Sequence, residues 1–258
     1  MWTRKSRTLL TCAVIVVTLA VGWWQQRDEA TDTERIASID GIAAAEYKPG
    51  YWYEITLEPG LSTEQVRDVL AEISASVESA EDRDGLPTML VESAGSSDLR
   101  IDLSDDLGQT AAIITSITTT PLTGFDVDLT GLESSSEFGF ASREEVLPGA
   151  LHFVSSLGRA GVDDLSPMGE DLGFYYTARE GYSTRAIELS ASPTDVALRQ
   201  LDVLARSLRL SDAELIRADG VSIEVAIPKG SPAGPVRRVF TAAYGKHDLD
   251  LTVSRQAR

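Results

Sequence analysis

Apolar and polar residues alternate in short runs along most of this chain, and longer helical runs separate them. "YWYEITLE" (51–58) sets Tyr53, Ile55 and Leu57 against Glu54, Thr56 and Glu58, the period-two pattern of a half-buried strand. The period then changes. Over 62–77, Val66, Val69, Leu70, Ile73 and Val77 fall on one helical face, and Ser62 with Gln65 fits a capping box. A turn at "DRDGLP" leads to a second strand near 88–93.

The same succession recurs. "LRIDLS" (99–104), a helix near 107–119 entered at Asp105 and Asp106, and "FDVDLT" (125–130) make a second unit. A third runs from "EFGFAS" (137–142), through a helix opened by Ser142 and Glu145, to "GFYYTAR" (173–179). The fourth joins strands at 185–190 and 213–218 through a helix at 192–208. Ser192 is the expected cap of that helix, Pro193 fills its first turn, and Leu198, Leu201, Leu204, Ala205 and Leu208 form its apolar face. The fifth has a strand at 221–228, a helix from Pro235 to Tyr244 closed by Gly245, and "DLDLTV" (248–253). "AAIITSITTT", within the second unit, is rich in β-branched residues that disfavour helix. The rhythm of the units predicts a helix there all the same.

Two consecutive units spell β-α-β-β-α-β, the order of a ferredoxin-like split βαβ module. The expected class is α+β: an N-terminal transmembrane helix, then ferredoxin-like modules with antiparallel sheets and helices on one face. The chain divides into a cytoplasmic N-terminus (1–7), an anchor (8–24), a stalk with some helix (25–48), a first module (49–130) and a second with an added unit (131–258). "GLESSSE" (131–137) is the expected seam, and pairing the fourth and fifth units instead is equally legal.

The anchor rests on residues 8–24, which carry no charge and fall at the short end of the roughly 17–25 residues a spanning helix needs. Arg4, Lys5 and Arg7 precede the run, Trp23 and Trp24 end it, and Asp28, Glu29 and Asp32 follow. Basic residues stay inside and tryptophans suit the interface, so the N-terminus is expected in the cytoplasm and the bulk of the chain outside. The rival is a signal peptide cleaved near Ala20 and Gly22, which releases the same exported region. Cys12, the only cysteine, lies before most of the apolar run, the wrong order for a lipidation signal, and it rules out an intramolecular disulfide.

Charge narrows the candidate partners. The net charge is −17, yet residues 221–258 carry +3 and residues 34–220 carry −21. Such a field repels nucleic acid and anionic membrane surfaces. The basic C-terminal unit is the part suited to an anionic wall polymer or an acidic neighbour. Among the basic residues arginine far outnumbers lysine, as in GC-rich bacterial genomes.

Catalytic patterns are missing. His152 and His247 are the only histidines, which leaves no multi-histidine zinc site, and both suit structural or surface roles. No G-x-S-x-G elbow, phosphate-cradling glycine loop or H-E-x-x-H motif occurs. "EDRDG" (81–85) lacks the first and last ligands of a calcium loop. The outward positions of the strands instead carry Glu54, Asp102, Asp126, Asp128, Glu188, Glu224, Asp248 and Asp250, expected as a solvated skin. The sequence therefore names no catalytic, cofactor or metal residue. Its expected role is a membrane-anchored extracytoplasmic interaction or scaffolding protein of the bacterial envelope, in contact with the bilayer through 8–24 and with an envelope protein or wall polymer. The alternatives are a carboxylate-based envelope hydrolase and a cation- or ligand-sensing domain on the acidic sheet face.

Overall fold

The computed structural model describes residues 32–48, 52–78, 88–91, 98–101, 106–129, 135–177, 183–207, 213, 215–218, 222–228, 230–244 and 250–255. The expected anchor (8–24), the "EDRDG" turn, Asp102, Asp105, His247 and Asp248 lie outside them. Among the described residues, no helix is long and apolar enough to cross a membrane.

Helical residues 32–37 (α1) lead into strand β1 (Ile42–Lys48). Five strand–helix–strand units follow. They are β2 (Trp52–Leu57), α2 (Thr63–Glu78) and β3 (Thr88–Val91); then β4 (Asp98–Ile101), α3 (Leu107–Thr119) and β5 (Gly124–Asp128). The third is β6 (Ser135–Phe140), α4 (Arg143–Arg159) and β7 (Asp171–Thr177); the fourth is β8 (Ser183–Ser190), α5 (Thr194–Ser207) and β9 (Leu215–Ala218). The last is β10 (Ser222–Ile227), α6 (Ala233–Tyr244) and β11 (Asp250–Arg255). Among the described residues the fold is α+β, with a mixed sheet and six α-helices.

Two expectations change here. Residues 32–48, expected within a stalk, supply α1 and an edge strand paired antiparallel with β2. Their run of alanines hides the strand, because alanine has little β preference. The split arrangement gives way to a simpler one. The strands lie in chain order from β1 to β11, so the parallel partners of each unit are direct neighbours with no strand inserted between them. Antiparallel pairs join one unit to the next, and the β5–β6 pair carries the sheet across the expected seam.

Register explains the burial. Phe125, Phe138, Phe174, Ile187, Ile216, Val225 and Val253 are successive partners across seven strands, a single apolar row. Helices α2 to α6 pack each against the next over this face. Phe153 of α4 meets the row, with ring centroids 4.5 Å from Phe138 and 6.4 Å from Phe174.

This geometry has a topological consequence. Successive units run in opposite directions, yet each steps the same way along the sheet and keeps its helix on the same face. The hand of the crossover must therefore alternate from unit to unit. Crossovers between parallel strands are right-handed in about 98% of cases. Here, one-sided burial overrides that preference in every second unit.

Helix starts follow the sequence closely. Ser62 N–H donates to Gln65 Oε1 (2.9 Å) and Gln65 N–H to Ser62 Oγ (3.3 Å), so the capping box is complete. Asp106 caps α3, accepting from Gly108 and Gln109. Ser142 stands at the start of α4 without a side-chain cap bond. On α5 the cap moves by one residue. Val196 and Ala197 donate to the Pro193 carbonyl, while the Thr194 hydroxyl donates to Val162, which leaves Ser192 outside. Leu201 and Leu204 are buried as expected, but Ala205 is exposed.

The β-branched helix α3 survives because α2 and α4 flank it. Thr110, Ala111, Ala112, Ile113, Ile114, Ser116 and Ile117 are all buried, so packing rather than propensity holds it. Its threonine hydroxyls turn back onto the helix, with Thr115 donating to Ala111 (2.8 Å) and Thr119 to Thr115 (2.7 Å).

Gly149, inside α4, marks a close approach of helix to sheet. A Cβ there would stand 2.0 Å from Cε1 of the buried Phe140 ring. Replacing glycine by alanine in a helix usually gains about 1 kcal/mol. Overpacking a core costs about 1–3 kcal/mol and should win here. Gly149→Ala is expected to lower the urea midpoint, whereas Gly234→Ala in α6, where among the described residues a Cβ meets only Arg238 at 3.7 Å, should hold or raise it. A higher midpoint for Gly149→Ala would show that α4 sits farther from β6.

Candidate functional site

The face opposite the helices carries a second row, one residue over from the apolar one. Asp126, Glu137, Gly173, Glu188, Arg217, Glu224 and Thr252 are successive partners from β5 to β11. Alternation along each strand makes this row outward wherever its neighbour is inward. Three of the expected skin residues, Asp126, Glu188 and Glu224, therefore meet in one line.

The glycine in that line has a tenant. A Cβ on Gly173 would come within 3.0 Å of Arg185 Nε, so the guanidinium lies across the gap that glycine leaves. From there Arg185 binds Glu137 (2.7 Å) on one side and Glu188 (3.4 Å) on the other. Arg217 continues the chain, 3.3 Å from Glu188 and 3.6 Å from Glu224. The result is an alternating ladder, acid–base–acid–base–acid, over β6 to β10. Partial burial works against the charge of Arg185, but the bonds and charges of Glu137 and Glu188 outweigh it and raise its pKa above the ordinary value.

Arg185 reaches this face through a β-bulge. Phe174 pairs with Ile187 and Tyr175 with Arg185, which leaves Ala186 as an extra, buried residue of β8. Strict alternation from Ile187 would turn Arg185 toward the helices. Bulges re-aim side chains in this way. The alternation pattern alone therefore misses Arg185, and "RAIELS" offers no glycine or proline to betray the irregularity.

Tyr175, the register partner of Arg185, occupies a second trough. A Cβ on Gly139 would stand 3.1 Å from Tyr175 Cε2, so the ring lies over that glycine. Partial burial raises the Tyr175 pKa above 10.0, the nearby charges of Glu137 and Asp126 raise it further, and Arg185 works the other way. Tyrosine was not among the sequence candidates. Its signal is the glycine opposite it, which only the register reveals.

Other expected positions fall differently. Asp128, expected as skin, shares the polar face but is buried, 2% exposed, with Arg100 of the neighbouring strand 3.6 Å from its carboxylate. The arginine opposite it explains why a charge is tolerated there. Glu54 is half-buried on the same face, and Asp250 pairs in register with Ser222, with its side chain outside the described part. His152 is exposed on α4. In the connection from α4 to β7, not among those expected positions, Asp163 and Asp164 are exposed, and Asp164 accepts from the Ser166 amide (3.1 Å) and hydroxyl (2.8 Å), a local turn. Among the described residues, no three of His, Cys, Asp and Glu gather into a group able to hold a metal ion. The ladder can instead present fixed charges, a tyrosine ring and a planar guanidinium to a flat partner.

Compared with known proteins, the chain matches no family model, no curated protein and no solved structure.

The raised Tyr175 pKa gives a pH signature. Below pH 10.0 the phenol is protonated in folded and unfolded chains alike, and it adds no pH dependence. Above that value the unfolded chain loses the proton first, so stability must fall as pH rises toward the folded pKa. Tyr175→Phe should flatten the fall in urea stability above pH 10, and Arg185→Met should steepen it by removing the opposing cation. Identical curves for all three proteins would show that the ring is solvated.

Proposed function

We propose that this protein is a membrane-anchored extracytoplasmic interaction or scaffolding module of the bacterial cell envelope, and that it recognises its partner through the polar sheet face. One observation carries the reading: Tyr175 and Arg185 are pinned side by side, over Gly139 and Gly173, in the middle of an open face. Tyrosine and arginine are over-represented among residues that dominate binding energy. Side chains already ordered before contact lose less entropy on binding. The carboxylates beside them are tied to arginines in partly exposed ion pairs, an arrangement suited to recognition rather than to proton transfer. The uncharged run at 8–24, with basic residues before it, supports the anchor and the outward orientation. An envelope protein or a wall polymer is the corresponding partner class.

A photo-crosslinking residue at position 137, 188 or 224, on the outward row, should give discrete adducts in cells. The same residue at exposed helix positions 152 or 199 should not, and Arg185→Ala with Tyr175→Ala should abolish the sheet-face adducts. Equal crosslinking from both faces, or adducts indifferent to the double substitution, would overturn the reading.

A further inference from the structure

A second feature lies on the helix side of the sheet and does not rest on the polar face. Where β2 passes to α2 and α3 passes to β5, the packing leaves a cleft of about 440 Å³. Its floor is Val66, Leu99, Ile114, Ile117 and Phe125, none more than 5% exposed. Protein interiors pack as densely as organic crystals and leave few voids larger than a water. A cleft of this size falls within the range of about 300–1,000 Å³ typical of small-molecule sites.

One lip is fixed. Glu58, Pro59, Gly60 and Leu61 form the β2–α2 connection, where proline presets its own φ and Gly60 takes φ +83°, a conformation other residues rarely adopt. The opposite lip is the end of α3, residues Thr118, Thr119 and Thr120, and Leu122 beyond it. The hydroxyls of Thr118 and Thr119 donate to the Thr115 carbonyl, and that of Thr120 to Ser116. Their protons are already used, so what remains at this lip is oxygen lone pairs.

Charge decides what the cleft can take. A helix C-terminus carries partial negative charge, and α3 ends here. Helix α2 begins beyond the other lip, where the Ser62–Gln65 capping box already takes up two amide donors of that positive end. Glu58 is the one charged residue among the described lining. Among the described lining residues, no lysine, arginine or histidine balances a carboxylate or a phosphate. Acceptors and negative charge at the mouth complement a donor.

We propose that this cleft binds a small amphiphile whose apolar body fills the space between α2 and α3 and whose polar end is a hydrogen-bond donor without negative charge. An ammonium or hydroxyl head meets that requirement, with Glu58 and the threonine oxygens as its partners. A fatty-acid carboxylate does not.

The test uses the full chain in mild detergent and a neutral apolar fluorophore, N-phenyl-1-naphthylamine, displaced by decylammonium or decanoate below their micellar concentrations or by 1-decanol below its solubility limit. Decylammonium and decanol should displace it at least about tenfold better than decanoate. Glu58→Lys, at an exposed position, should erase or reverse the preference of ammonium over carboxylate. Ile117→Trp should fill the floor and remove the displaceable signal, with circular dichroism unchanged. Decanoate binding as well as decylammonium, or a charge preference that Glu58→Lys leaves intact, would overturn the proposal, and the second outcome holds even if Ile117→Trp fails to fold.

Discussion

The strands whose side chains are described turn their apolar sides toward one layer of helices. The row from Phe125 to Val225 shows what this demands: six strands agree in register to within one residue, because a slip of one would turn each side chain to the opposite face. The demand is strong enough to outweigh two ordinary preferences. Alternate crossovers take the uncommon hand, and α3 stays helical despite its β-branched residues because its buried sides leave it no better conformation. Gly149 belongs to the same economy of space, since a single methyl there would drive α4 from Phe140.

The open face follows from the buried one. Once the apolar row is fixed, the adjoining register positions form a second row, and its charges fall opposite one another on neighbouring strands. Opposite charges placed so contribute modestly, and exposed pairs contribute little to stability. Their effect is on order. Arg185 is held between two carboxylates and over a glycine, so the surface offers a fixed pattern rather than a set of mobile side chains. The apolar cleft between α2 and α3 opens on the other side of the sheet and has the opposite chemistry, with acceptors at its mouth and no cation among its described residues.

Much of the architecture was legible in the sequence because period and capping are local. The Ser62–Gln65 box, the Asp106 cap and the apolar positions Val66, Val69, Leu70 and Ile73 all act within a turn or two of helix. Strand order is not local. The sequence β-α-β-β-α-β is common to split and unsplit arrangements, and only long-range pairing distinguishes them. The polar ladder was half legible: alternation marks Asp126, Glu188 and Glu224 as outward, but the bulge at Ala186 hides Arg185 and strand order hides Tyr175 over Gly139. Asp128 is buried for a related reason, since its neighbour Arg100 belongs to another strand. The apolar cleft depends on how two loops, two helices and the strands beneath them meet, which no single segment records.

One sheet face is buried by helices, and the proposed recognition role requires the charged face opposite to be open to solvent. Cys12 is the only native cysteine, so a Cys12→Ser background allows single cysteines to be placed on either row and their labelling by a water-soluble maleimide to be timed. Glu137→Cys, Glu188→Cys and Glu224→Cys should label readily in the folded protein, whereas Leu172→Cys, Ile187→Cys and Val225→Cys should label only after denaturation. Comparable rates for the two sets in folded protein would contradict the one-sided sheet and, with it, the recognition surface built on its open face.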